Sequence, residues 1–79
     1  MTLGEEERAR KLVEMLKSVG ENHGILVVKG SLVIRNGVTG ADTPLMFDVA
    51  TLENALALGL LEPRRVSGSM SWDWYVAKP

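Results

Sequence analysis

Few side chains in this chain could do covalent or metal chemistry. His23 is the only histidine and there is no cysteine, which removes disulfides, thiolate metal ligands and thiol nucleophiles. An imidazole can move protons near neutral pH, but His23 stands between Asn22 and Gly24 with no partner set by spacing, and it reads as a loop residue. Glu5, Glu6 and Glu7 could hold a hard cation. Three consecutive helical residues point in different directions, however, and carboxylates favour a helix N-terminus in any case. Asp42 and Asp48 could form a carboxylate pair. Asp42 sits in a turn-type sequence and Asp48 in a helix-capping position, so neither needs chemistry to explain it. "VVKGS" has the letters of a phosphate loop in the wrong order, because Lys29 precedes Gly30. "RRVSGS" resembles a basophilic kinase site and reads more simply as a turn with two solvated arginines. The expectation is a chain with no catalytic residues, no metal and no cofactor.

The residues with most to offer are aromatic. "SGSMSWDWYV", Ser67–Val76, holds both tryptophans and the only tyrosine. In a strand, alternate residues share a face. Trp72, Trp74 and Val76 then lie on one side, with Asp73, Tyr75 and Ala77 on the other. A chain with one further large ring, a single Phe, needs its tryptophans for packing. The Trp face is therefore expected to pack on the helices as core. Tyr75, Arg64, Arg65 and the loop-tip Met70 are expected to form a binding patch, since Tyr and Arg are favoured interface anchors.

These residues need elements to position them. Thr2-Leu3-Gly4-Glu5 has capping-box spacing. Ala9, Leu12, Val13, Leu16 and Val19 follow as one apolar stripe, with Glu6–Arg10 and Glu7–Lys11 as favourable i,i+4 pairs and Gly20 as a stop. This predicts a helix over Leu3–Val19. "ILVVKGSLVIRNG" predicts a hairpin of Ile25–Val28 and Leu32–Arg35 around Lys29-Gly30-Ser31. "NGVTGADTP" reads as a polar loop. Asp48 caps a second helix, Val49–Leu58, closed by Gly59. A strand beginning in "EPRRV", a turn at "SGSMS" and the strand "WDWYVA" complete a second hairpin. The fold class expected is α+β, helix–hairpin–helix–hairpin, in a single small domain spanning residues 1–79.

Seventy-nine residues bury a modest core. A domain this small without disulfides points to a cytoplasmic address. The charged start "MTLGEEERAR" is not a signal peptide, and no apolar run approaches the roughly 20 residues that span a bilayer. The net charge of −1 gives no global pull toward nucleic acid. Between Arg35 and Arg64 there is no Lys or Arg, while Asp42, Asp48, Glu53 and Glu62 all fall there, so the middle of the chain is acidic.

The segment "TLENALALGLLEPRRVSGSMSWDWYVAKP" resembles the back end of a winged-helix domain: a helix ending at a "GLL" step, a strand, a glycine-containing wing and a "WY" strand. The resemblance covers roughly the last 30 residues of the chain. It implies that Leu52–Leu58 is the recognition helix, Arg65–Val66 the first wing strand, Ser67–Ser71 the wing tip and Trp72–Val76 the last strand. The first half departs from the family, with a hairpin where a second helix would precede the recognition helix. The recognition helix offers Asp48, Thr51, Glu53 and Asn54 and no cation, whereas readers of the major groove use Arg, Lys, Asn and Gln. In size and acidic midsection the chain is also similar to small phage-borne proteins, among them anti-CRISPR inhibitors.

The function expected is a non-catalytic protein-binding module in a bacterial cytoplasm. On the anti-CRISPR resemblance, it would be an inhibitor that occludes a basic nucleic-acid-binding surface of a host complex such as a CRISPR effector. Its binding residues would be Asp42, Asp48, Glu53, Glu62, Arg64, Arg65, Met70 and Tyr75. The alternative is a winged-helix DNA-binding regulator using Arg64, Arg65 and Arg35 on phosphates, and a third possibility is a homodimer formed through a hairpin edge.

Overall fold

The computed structural model describes residues 1–68 and 71–79; Met70, expected at the binding patch, lies outside the described residues. The first helix, α1, spans Leu3–Val19. Its start is a full capping box: Thr2 Oγ1 accepts from the Glu5 N–H at 3.1 Å, and the Thr2 N–H donates to Glu5 Oε1 at 3.1 Å. Glu6–Arg10 and Glu7–Lys11 pair on its outer face at 3.0 and 3.6 Å, while Ala9, Leu12, Val13 and Leu16 are buried.

Strands β1 (His23–Val28) and β2 (Ser31–Asn36) form an antiparallel hairpin. Both turn residues, Lys29 (φ 53°) and Gly30 (φ 79°), are left-handed, as a two-residue turn matching the strand twist requires. The segment expected to be only a polar loop contains a third strand, β3, Asp42–Pro44. Asn36 turns the chain back. Its side-chain Oδ1 accepts from the Val38 and Thr39 N–H groups at 2.8 and 3.3 Å, and its own N–H donates to the Ala41 carbonyl at 2.9 Å. The returning chain then pairs with β2, Asp42 opposite Arg35 and Pro44 opposite Val33.

Helix α2, Val49–Ala57, starts at Asp48, whose Oδ1 accepts from the Thr51 N–H at 3.0 Å and the Thr51 hydroxyl at 2.6 Å. It ends in a Schellman arrangement: Gly59 at φ 72° donates to the Leu56 carbonyl, and Leu60 to that of Ala55. Strands β4 (Leu61–Val66) and β5 (Trp72–Ala77) form the second hairpin. The two hairpins join where Ile25 in β1 lies opposite Tyr75 in β5. The result is one antiparallel five-stranded sheet of order β3-β2-β1-β5-β4.

Both helices cover one face of this sheet. The core between the layers is aliphatic: Ala9, Leu12, Val13 and Leu16 from α1, Leu52 and Ala55 from α2, and Ile25, Leu32, Ile34 and Leu61 from the strands. Both free edges carry a proline. The Lys78 N–H donates to the Leu60 carbonyl, which makes Leu60–Lys78 a bonded pair and, by alternation, Pro63 opposite Tyr75 a non-bonded one. The nitrogen of Pro63 therefore faces outward. Bonds from Asn36 to Ala41 and from Leu45 to Leu32 place Pro44 in the same situation on β3. Among the described residues no helix is long and apolar enough to cross a membrane.

Candidate functional site

The alternation expected of β5 holds, but the roles of its two faces are exchanged. Tyr75 and Ala77 pack against the helix-covered core, because Tyr75 stands opposite core Ile25. Trp72, Trp74 and Val76 therefore lie on the face away from the helices. Tyr75 is half-buried rather than an open anchor, and Trp74 is 7 % exposed yet stands outside the main core cluster. The expectation that the Trp face packs on the helices is corrected in this respect.

Missing side chains explain how a tryptophan is buried there. Its ring lies on Gly24 so closely that a Cβ at that glycine would overlap the indole. The far edge of the ring reaches Gly37, where a Cβ would sit 2.8 Å from Trp74 Cη2 and 3.2 Å from the Asn22 carbonyl oxygen. Trp72 meets Trp74 edge-on, with centroids 5.8 Å apart and planes at 78°, a favoured aromatic geometry. The Arg35 guanidinium sits 5.1 Å from the Trp72 ring centre, a cation–π contact. Asp42 fixes that guanidinium through two hydrogen bonds, from Nε at 2.6 Å and Nη2 at 2.9 Å. The same pairing holds the Asp42 carboxyl below its ordinary pKa and raises that of Arg35. Among the described residues neither of the two indole nitrogens, both buried, has an acceptor. A cleft of about 300 Å³ beside Trp72 is lined by Gly37–Gly40 on one side and Val66–Gly68 on the other.

Beside this aromatic corner the same sheet face is open. Leu26, Val33 and Pro44 stand in one register row across β1, β2 and β3. Leu26 and Val33 are half-buried and Pro44 is exposed. Val28, at 36 % exposure, lies on this face one alternation along β1.

The residues expected to bind are divided among several surfaces. Asp42 and Glu62 lie toward opposite edges of the open sheet face, and each is taken up by an arginine, Arg35 and Arg64 respectively. Asp48 caps α2, where its bonds to Thr51 hold its carboxyl below the ordinary range, and Glu53 is exposed on α2. The acidic residues of the midsection do not make one face. Arg64 and Arg65 point to opposite sides of β4: Arg64 lies opposite Trp74, while Arg65 lies opposite Asp73 at 3.9 Å and shares the side of Tyr75. The expected patch of Tyr75, Arg64 and Arg65 is therefore split by strand alternation. Gly24, Gly37, Leu26 and Val33 escaped sequence reasoning. The signal for Gly24 was a glycine at the head of an apolar strand, where a close approach is expected.

Among the described residues no three His, Asp or Glu side chains gather as a metal site. His23 opens β1, and its buried Nδ1 has no partner among the described residues. No family model matches the chain, and no curated protein or solved structure matches it either.

Proposed function

We propose that this chain is a non-catalytic protein-binding module that meets its partner with the face of the sheet left free by the helices. The observation that carries the reading is the uncovered apolar row Leu26–Val33–Pro44, flanked by Val28 and by the rigid Trp72–Arg35–Asp42 corner. Contiguous apolar surface, rimmed by polar groups and held on a preformed scaffold, is what protein interfaces use. The outward prolines of β3 and β4 favour docking on the face over strand addition at an edge. They also weigh against a homodimer formed by strand pairing.

The narrower reading is an anti-CRISPR-like inhibitor that occludes a basic nucleic-acid-binding surface. It draws on Asp42, Asp48, Glu53 and Glu62, and it has less support because these lie on different surfaces and Asp42 and Glu62 are already ion-paired. The winged-helix reading keeps the order of α2, the Gly59 step, β4 and β5. Its DNA-binding form is weakened by an α2 without cations and by arginines aimed to opposite sides of the wing.

The test is a pull-down from nuclease-treated bacterial lysate, including lysate that expresses a CRISPR effector complex. Wild type is compared with Val33→Glu and with Glu53→Lys/Glu62→Lys, each checked for folding by thermal melting. A stoichiometric partner lost with Val33→Glu and kept by the charge-reversal variant supports the proposal. Loss with charge reversal alone moves the reading to the acidic inhibitor. Retention of nucleic acid only, abolished by nuclease, moves it to the DNA-binding regulator.

A further inference from the structure

The sheet face left free by the helices has a charge pattern that narrows its partner. Register and alternation put four charged side chains on this face: Arg35 on β2, Asp42 on β3, and Glu62 and Arg64 on β4. Among the described strand residues there are no others on it. Each cation is bonded to an anion of the same face. Arg35 donates to Asp42 from Nε at 2.6 Å and from Nη2 at 2.9 Å, and Arg64 donates to Glu62 at 2.9 Å. The first pair lies at the β3 edge and the second on β4, at the opposite edge. Leu26, Val28, Trp72, Trp74 and Val76 are on the strands between them. Lys29 and Lys78 stand beyond the strand ends, in the β1–β2 turn and after β5.

A cation paired at hydrogen-bond distance presents a dipole, whose field is weak and readily screened. Such a face has no net charge to steer an acidic or a basic surface toward it. A charged group of a partner, buried against it, would lose its water and gain no counter-charge. An apolar surface meets neither obstacle. We infer that the partner is a different protein that docks on this face through an apolar patch without charged side chains, and that the complex resists salt. The inference rests on the reading that this face is the docking surface. It runs against the polyanionic and strongly basic partners that the charge of the sequence suggested.

The experiment takes the protein captured by the wild-type chain from nuclease-treated bacterial lysate, purifies it, and titrates it by calorimetry in about 50 mM and about 1 M NaCl, which differ strongly in screening. The dissociation constant should change by less than about threefold between the two salts. The heat-capacity change should be negative, from apolar burial, and Val33→Glu should abolish binding. Arg35→Gln leaves the Asp42 carboxylate unpaired two residues from Pro44, and affinity should fall about tenfold or more. Arg35→Gln/Asp42→Asn removes both charges and lacks the same contact with Trp72, so its recovery toward wild type separates charge from bracing. Thermal melting checks that each variant folds, and the salt series needs no variant. A Val33-dependent partner whose affinity changes by more than that in high salt overturns the inference and leaves the docking face standing. So does tighter binding by Arg35→Gln, or a folded double variant that does not recover. A chain that dimerises alone, and no longer does so as Val33→Glu, puts a second copy on the face and overturns the inference too. Capture of no protein that depends on Val33 overturns both readings.

Discussion

The two faces of the sheet are packed by different means. The helix-covered face follows the ordinary rule: branched aliphatic side chains from strands and helices interlock in a dry layer. The opposite face has no helix to pack against, yet it buries the largest side chain of the chain almost completely. It does so by subtraction, with Gly24 and Gly37 making room for Trp74, and by polar bracing, with Asp42 holding Arg35 against Trp72. A small domain can thus build a second, satellite core without a third layer. That corner stiffens the face proposed to bind a partner, because the open row Leu26–Val33–Pro44 runs through β2 and β3, the strands that also carry Arg35 and Asp42.

The comparison breaks most sharply at Trp74. If the satellite core matches the main one, Trp74→Ala should cost about 3–5 kcal/mol, similar to or above the roughly 2–5 kcal/mol expected for Leu12→Ala. Domains of this size hold only about 4–12 kcal/mol in all. Urea denaturation of both variants measures this, and a Trp74→Ala cost below about 1 kcal/mol would demote the aromatic corner to surface decoration. Gly24→Ala is the complementary lesion. Overpacking against the indole should cost about 1–3 kcal/mol. Much of that should vanish in a Trp74→Leu background, since the clash is with the ring itself, and equal costs in both backgrounds would place the glycine's role elsewhere.

Much of this arrangement was legible in the sequence, for physical reasons. Both helices announced themselves through caps at Thr2 and Asp48 and stops at Gly20 and Gly59, since these contacts are local and depend on side-chain chemistry a few residues apart. The period-2 split of Trp72 and Trp74 from Tyr75 was legible too. Which side met the helices was not. That is decided by the junction of β1 with β5, a pairing between residues some fifty positions apart, Ile25 and Tyr75, and a one-residue change of register would exchange the faces. Strand β3 was hidden because it is three residues long and two of them, Asp42 and Pro44, have poor strand propensity. It exists through its partner β2 and the Arg35–Asp42 clamp. The candidate site suffered most, since grouping Arg64 with Arg65 and Tyr75 ignored the alternation that separates them.

Acid should act on both layers at once. Asp42 is depressed by Arg35, and Asp48 by Thr51, from an ordinary value of 3.8 for each; Glu5 is depressed from 4.5 by its bonds with Thr2. A carboxyl whose folded pKa lies below its unfolded one contributes stability that is complete above the unfolded value. That contribution is lost as the pH falls from there through the folded value. Stability should therefore decline as the pH drops below about 4. Asp42→Asn weakens the open face and Asp48→Asn the helix layer. Each should lower stability at neutral pH and flatten the acid limb of a pH–stability curve. An acid limb unchanged in both variants would show that these carboxylates are not what acid attacks.

The smallest expected effect on stability tests the edges that border both faces. Pro63 faces outward from β4, so replacing it with Thr should disturb no ladder bond and change stability by well under about 1 kcal/mol. It restores an outward N–H to an edge strand whose free side otherwise offers the donors and acceptors of a pairing template. Pro63→Thr should therefore self-associate at concentrations where the parent does not, and light scattering would read this as a concentration-dependent rise in mass. Equal mass for both chains would mean that the edge is shielded by something other than proline. A parent that is already dimeric, with Pro63→Thr leaving the dimer unchanged, would shift attention to the apolar row Leu26–Val33–Pro44, because two copies could then meet face to face where a protein partner is proposed to dock.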